Sequence, residues 1–340
     1  MRTCAMIKRE DIQHSSNTPL YLQLADHISR LIETGALGKN DRLPSVNELC
    51  NTLDISRVTI VNAYDYLRKN GVIASKHGKG FYVSKESGLG DKRVFLLFDA
   101  MNGYKEVLYR AFADELGENY SIDIFFHYYN KKQFGRFIKN NIGDYHHYAV
   151  LPHFNDDVSA ILRAIPVSKL LLIDKDVPAL KDVAGIYQQF YSDTRTALAQ
   201  GQELIMKYRK LHLIAYSDFQ FVPQGIIEGF VDFCKASGMK YAIDKGLSPE
   251  KIGKHEAYLA ISDRDLITLI QYAKSNHLKP GDDLGVVSYD DTPLKSVLAD
   301  GITTISTDFT HMGKMAAKML KEGIQRKIEN PSKLIIRSSL

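Results

Sequence analysis

The sequence predicts an α/β protein of two unlike parts. A small N-terminal unit is mainly helical and ends in a basic hairpin; a large second domain is built of doubly wound parallel sheets in two lobes. Three observations predict this. Three amphipathic helical patterns crowd together before Gly71, and two short β patterns around a Gly-rich tip follow them. From residue 93 onward, short apolar runs alternate with helical stretches, as buried parallel strands and their crossover helices do. Residues 1–85 hold 12 Lys and Arg against 8 Asp and Glu, which is the whole of the chain's formal charge of +4. An anionic partner is therefore expected at that end.

A chain of 340 residues is too long for one ordinary domain. The expected division is 1–84, a polar Gly/Ser-rich linker at 85–92, and 93–340. Apolar residues make up 44% and charged residues 25%, enough for real cores beneath a soluble surface. No run reaches the ~18 apolar residues of a membrane span. The opening MRTCAMIKREDIQHSSNTP lacks the apolar segment of a signal peptide. Cys4, Cys50 and Cys234 are scattered, with neither disulfide nor zinc spacing. A reduced, cytoplasmic protein is expected.

In the N-terminal unit, Pro19 pre-sets a helix start, and Leu24, Ile28, Leu31 and Ile32 form one apolar face that ends at Gly35. Ser45 with Glu48 is a capping box that opens a short second helix. After a turn at 51–55, Ser56 caps a third helix with Ile60, Ala63, Tyr64 and Leu67 inward, and Gly71 stops it. Strands at 72–75 and 80–83 follow, joined by the tip Lys76 to Lys79. Helix, short helix, turn, helix, hairpin is the order of a winged helix-turn-helix. That order explains Arg57, a cation where the helix dipole disfavours one. In such a module this helix end enters the major groove of double-stranded DNA.

RLPSVNELCNTLDISRVTIVNAYDYLRKNGVIASKHGKGFYV resembles the DNA-binding domain of GntR-family transcription regulators, over about residues 17–84. LPS opens the second helix, SR opens the recognition helix, and the G-K-G wing ends in an aromatic–Val strand. The resemblance implies DNA contact by Arg42, Ser45, Arg57, Thr59, His77, Gly78 and Lys79. Asn47 and Val61 stand where many members carry basic residues, so no operator sequence is implied. Taken singly, Arg57 is a solvated cation, His77 a loop residue and Ser45 a structural cap; their order and spacing together point to DNA.

In the large domain, strands are expected at 94–98, 122–126, 148–151, 170–173, 211–216, 257–261 and 284–289. Helices are expected near 104–117, 131–140, 156–164, 193–208, 224–237, 264–277 and 309–325. Ligands of open parallel sheets bind beyond the carboxyl ends of the strands. Those ends include Asp99 to Tyr104, His153 to Asn155, Asp174, Ser217 to Gln224, Ser262-Asp263 and Asp290-Asp291. This mixture of carboxylates, amides and aromatics suits a polyhydroxylated ligand.

DDLGVVSYDDTPLKSVLADGITTISTDFTHMGKMAAKML is similar to the closing segment of LacI-type effector domains, which are built like periplasmic sugar-binding proteins. LFDAMNGYKEVLYRAF, YLAISDRDLITLIQYAKSNHL and LIIRSSL extend the resemblance collinearly over about residues 93–340. It implies that Asp290 grips sugar hydroxyls, with Asn102, Tyr104, Asp193, Ser262, Phe219 and Gln224 as further ligand contacts. Ile226 stands where the family often has an arginine; either Gln224 or Gln220 takes its place, or the ligand lacks the group that the arginine binds. Plainer roles compete: Asp193 and Asp263 suit helix caps, Thr303-Thr304 a strand crossing between lobes, and Tyr104 and Phe219 surface packing.

Catalytic signatures are absent: the sequence has no GxSxG, HExxH, GxxxxGK[ST] or GxGxxG. Adjacent His146 and His147 point in different directions and make a poor metal site with His153. No enzyme, cofactor or metal is expected. The expectation is a ligand-responsive DNA-binding regulator, homodimeric on a two-fold operator and by default a repressor, with a monosaccharide or its derivative as effector. The alternatives are an effector domain that takes a non-sugar small molecule or a protein partner and, ranked last, a sugar-modifying enzyme.

Overall fold

The computed structural model describes residues 6–13, 19–69, 71–76, 79–84, 92–215 and 221–340. His77, Gly78, Phe219, Gln220 and nearly all of the expected linker lie outside the described residues.

The head consists of α1 (Leu20–Glu33), α2 (Val46–Leu53), α3 (Arg57–Lys69), β1 (Ile73–Lys76) and β2 (Gly80–Val83). Leu24, Ile28, Leu49, Ile60, Ala63, Tyr64 and Leu67 are fully buried in one core. The capping box forms: the Glu48 N–H donates to Ser45 Oγ at 3.2 Å, and the Ser45 N–H donates to Glu48 Oε2 at 2.6 Å. Asp54 ends α2 in the left-handed conformation, φ 55°, and so makes the turn. The Tyr64 hydroxyl donates to the Pro44 carbonyl at 2.6 Å, and its ring lies 4.6 Å from that of Phe81. One side chain thereby ties α3 to both α2 and the wing.

The large domain has two lobes of six strands each. The first contains β3 (Lys92–Phe98), α4 (Gly103–Leu116), β4 (Tyr120–Phe126), α5 (Lys131–Asn141), β5 (His147–Val150), α6 (Ser159–Leu162), β6 (Leu170–Asp174) and β7 (Ala184–Tyr187). The second contains α7 (Phe190–Gln200), α8 (Gln202–Ile205), β8 (Leu211–Ile214), α9 (Gln224–Ser237), β9 (Tyr241–Asp244), β10 (Ala257–Ala260), α10 (Asp263–Ser275), β11 (Gly285–Tyr289), α11 (Pro293–Val297) and β12 (Thr303–Thr307). The chain then returns to the first lobe for α12 (Phe309–Glu322) and β13 (Lys327–Glu329), and ends in the second with β14 (Ser332–Ile335).

The sheet orders are β13-β7-β6-β5-β3-β4 and β14-β12-β11-β10-β8-β9; every pairing is parallel except β14 on β12. The central strands are buried on both faces, so they read as unbroken apolar runs. In the first lobe α12 lies close on α4 because residue 313 is glycine: a Cβ there would collide with the Leu108 carbonyl.

Two helices differ from expectation. The stretch 156–164 shortens to α6 because the Asp157 carboxylate accepts from the Ser159 N–H and hydroxyl, at 2.8 and 2.9 Å, which holds a turn instead. The stretch 193–208 starts at Phe190 and is interrupted at Gly201.

The chain crosses between lobes three times, after β7, β12 and β13. Asn330 laces the crossings together. Its N–H donates to the Tyr187 carbonyl at 2.8 Å, and its side-chain amide donates to Thr307 Oγ1 at 2.7 Å and to the Asp308 carbonyl at 3.0 Å.

Among the described residues the head packs on the first lobe. Lys169 Nζ pairs with Asp26 of α1 at 2.5 Å, with both side chains mostly shielded from water. Beside this pair Gly143, at φ 93°, leaves room for Tyr66 and Leu22; a Cβ would sit 2.8 Å from the Tyr66 ring.

Candidate functional site

Two sites are built by this architecture. On the head, Arg57 and Thr59 project from the first turn of α3. The Ser56 hydroxyl accepts the Thr59 N–H at 3.2 Å, which fixes where the helix begins. Arg57 is exposed, and its guanidinium donates to Asn47 Oδ1 of α2 at 2.6 Å. The residue that departs from the family's basic pattern therefore orients the arginine. Val58, 68% exposed, stands beside it; sequence reading passed over it, yet an exposed apolar side chain at this helix end suits a thymine methyl. Arg42 pairs with Tyr82 of the wing in an isolated bridge. Lys79 is exposed at the wing tip, where its carbonyl accepts from the Tyr82 hydroxyl at 3.0 Å. Ser45 is exposed, with its side chain engaged in the capping box.

The second site is the cleft between the lobes, at the carboxyl ends of both sheets. Its mouth is a cavity of about 390 Å³ lined by Asn102, Tyr104, Ser262, Asp263, Arg264, Tyr289, Asp290 and Lys295 among others. A narrow extension runs inward past Asp99, Lys105, His153, Asp174, Gln188, Phe221 and Ile226. The cavity is of the size that holds a small ligand. Asp174 closes β6 and Asp290 follows β11, one on each lobe, and both adopt left-handed backbone, φ 71° and 63°. Aspartate tolerates that region better than most residues. The matching bends present both carboxylates to the cleft.

A charged network lies beneath it. Lys105 Nζ pairs with Asp99 Oδ1 at 2.5 Å. His153 donates through Nδ1 to Asp99 Oδ2 at 3.0 Å, and its Nε2 lies 3.1 Å from Asp174 Oδ2. Asp174 also accepts from the Tyr104 hydroxyl at 3.2 Å and from the Gln188 amide at 2.6 Å. Burial would raise the Asp99 and Asp174 carboxyls, but the His153 charge and hydrogen bonds, with Lys105, outweigh it and hold both below the usual range. Burial would lower His153, but the two carboxylates outweigh it and raise the imidazole, which favours its protonated form between them. Asp290 goes the other way: burial, reinforced by the Asp174 charge, pushes its carboxyl up to about 7 against the pull of Lys295 and Lys105.

Of the residues expected at the ligand, Asp290, Asn102, Tyr104 and Ser262 meet in the cleft. Asn102 and Ser262 also serve as N-caps, of α4 and α10. Asp193 is not among the cavity-lining residues; its carboxylate accepts from the Gln189 N–H at 3.0 Å, within its own helix start. Gln224 is exposed at the first position of α9, while Ile226 is buried and faces the cleft. Asp99, His153 and Asp174 had been visible as strand-end residues. Lys105 and Lys295 were missed; each sits inside a helix, where a lysine ordinarily reads as solvated. Among the described residues no group of three or more His, Cys, Asp or Glu is arranged to hold a metal ion.

Comparison with known proteins agrees with both halves. Residues 20–83 match the model of bacterial regulatory proteins of the gntR family, and residues 207–340 match the periplasmic binding protein-like domain. The HTH-type transcriptional regulator YurK of Bacillus subtilis (strain 168) is 36% identical over 97 residues, which is 28% of this chain and 38% of that protein. The transcriptional repressor PurR of Aliivibrio fischeri (strain MJ11) is 30% identical over 126 residues, 37% of this chain and 36% of that one. The chain thus spans little more than a third of the length of these relatives. A LacI family regulator from Lactobacillus casei, solved with bound glucose, superposes with a TM-score of 0.59 at 20% identity, covering 73% of this chain and all of that one. The chain therefore joins a gntR-family helix-turn-helix domain, at residues 20–83, to a periplasmic-binding-protein-like domain with the two-lobed fold also seen in LacI regulators.

Proposed function

We propose that the protein is a one-component transcription regulator, cytoplasmic and homodimeric. Its heads bind double-stranded operator DNA, and a small hydroxylated ligand in the cleft, a sugar or sugar derivative, controls them. One observation carries the proposal above the rest: the start of α3 is exposed at Arg57 while Tyr66, farther along the same helix, packs against the first lobe. Tyr66, which packs over Gly143, lies nine residues beyond Arg57, about 13 Å along the helix axis. DNA can reach Arg57 and Thr59 while the head stays docked. Ligand closure of the lobes then alters the spacing of two heads on a two-fold site, and so DNA affinity. Repression is the default sign, in keeping with the PurR relative.

The test has two parts. Selection of duplexes from a random pool by the purified protein is expected to enrich a two-fold symmetric sequence. Thermal unfolding against monosaccharides and sugar phosphates is expected to show an upshift with one of them that Asp290→Ala abolishes, since ligand at ~100 times its Kd adds about 2.7 kcal/mol. No enriched sequence would refute the DNA half, and no upshift with any sugar would refute the sugar effector.

A further inference from the structure

Within that reading of the cleft, we infer that the ligand carries a positive charge beside its hydroxyls, an ammonium group seated against the Asp290 carboxylate. The argument is one of unmatched charge. Three carboxylates converge at the inner end of the cleft, those of Asp99, Asp174 and Asp290, against two cations, Lys105 and His153. Both cations are committed. Lys105 pairs with Asp99, and His153 bridges Asp99 and Asp174. Arg264 is exposed at the mouth and does not line the inner extension, and Lys295 is engaged elsewhere. Its Nζ donates to the backbone carbonyls of Tyr289 and Asp290, at 2.7 and 2.8 Å, and pairs with Asp263 at 2.8 Å. Among the described residues nothing donates to the Asp290 carboxyl itself. The wall that α9 presents is apolar, through Pro223 and Ile226.

An enclosed charge is either matched or neutralised. A proton can do this: burial, with the Asp174 charge, pushes the Asp290 carboxyl up to about 7. Arg264 of α10 is exposed and lines the mouth of the same cavity. The charged groups around Asp290 are Asp174 from β6, Lys105 from α4, Lys295 from α11 and Asp263 from α10, two anions and two cations, so the charge left over is that of Asp290 itself. An ammonium group replaces the proton and cancels that charge. A neutral sugar brings hydrogen bonds but no charge.

The experiment is titration calorimetry on the full chain in a phosphate buffer. It uses two pairs of probes that differ in the ammonium alone or nearly so: tris(hydroxymethyl)aminomethane against 1,1,1-tris(hydroxymethyl)ethane, and glucosamine against glucose. The cationic member of a pair is expected to bind at least about tenfold tighter near pH 7. That advantage is expected to shrink toward pH 5.5, by up to about tenfold per pH unit below the Asp290 titration. In Asp290→Asn, with unchanged circular dichroism, the advantage is expected to vanish. Equal binding of the neutral member, an advantage that survives Asp290→Asn, or no binding in either pair would overturn the inference. The regulator reading is tested apart from this, by operator binding without ligand: a neutral sugar that alters operator affinity supports that reading while it sinks this one.

Discussion

Replacing Arg57 with alanine tests the DNA-reading face most directly. Arg57 is exposed, its guanidinium donates to the exposed Asn47, and its cation opposes the α3 dipole. Its removal is therefore expected to leave head stability unchanged or slightly raised, and any loss of binding belongs to the interface. If Arg57 reads a base bidentately, the loss is about 1–3 kcal/mol, roughly 5- to 150-fold in Kd. The assay is fluorescence anisotropy on the selected duplex and on single-base variants, at about 50 and 200 mM salt. A base contact relaxes discrimination at one position; a phosphate contact weakens all sequences alike and lowers the salt slope by about one. Asn47→Ala, which frees the guanidinium now held at 2.6 Å, is expected to cost less, and the double variant no more than Arg57→Ala alone. Undiminished affinity and an unchanged salt slope in Arg57→Ala would refute the reasoning.

Ser45→Ala removes the acceptor of the Glu48 N–H and is expected to cost the head about 1 kcal/mol in denaturant unfolding; no change would mean that the cap contributes nothing. Lys105→Met leaves Asp99 with one cation in place of two and is expected to destabilise the first lobe by about 3–5 kcal/mol, largely recovered by adding Asp99→Leu. Asp290 sets a pH dependence with a definite sign. Its folded pKa, about 7, lies above the ordinary 3.8, so between those values the folded state holds the extra proton. The contribution is thus fully present below the unfolded pKa and lost as pH rises through the folded one. Asp290→Asn is expected to flatten that slope in thermal unfolding between about pH 4 and pH 8. Lys169→Glu breaks the pair with Asp26 and is expected to uncouple the head, so that ligand no longer changes operator affinity; adding Asp26→Lys restores the coupling.

The elements most legible in the sequence are those whose signal is local. The Ser45–Glu48 capping box, the Ser56 start of α3 and the doubly buried strands β3 and β11 announce themselves through residues within a few positions of one another. The strands β7, β9 and β13 are short, carry Gly, Ala or charged residues, and are defined by a neighbouring strand far along the chain, so no local pattern marks them. The cleft divides in the same way. Asp290 stands at the end of an apolar run, where a parallel sheet puts its ligands. Lys105 and Lys295 occupy helices, and what makes them functional candidates is burial against Asp99 and against backbone carbonyls, which only the folded chain creates. The role of Asn47 as the partner of Arg57 is likewise a contact between helices, ten residues apart.

How the two sites communicate follows from where each is fastened. The head is clamped to the first lobe by Lys169–Asp26 and by Tyr66 over Gly143, and it makes no such clamp with the second among the described residues. Asp174 belongs to the first lobe and Asp290 to the second, and their charges repel. Any approach of the lobes that brings these carboxylates together is opposed until a proton or a cation lies between them. A cationic ligand, as proposed, is expected to favour the closed arrangement through its charge, which would supply the differential affinity that a conformational switch requires. To invert a 1:99 balance of open and closed forms it must prefer the closed one by about 10⁴-fold. The Asn330 lacing lets the three crossings move together, so the relative rotation of the lobes is carried whole to a head fixed on one of them. Cutting the clamp is expected to leave ligand binding intact and remove its effect on DNA; removing the Asp290 charge is expected to weaken binding of a cationic ligand while the head stays docked.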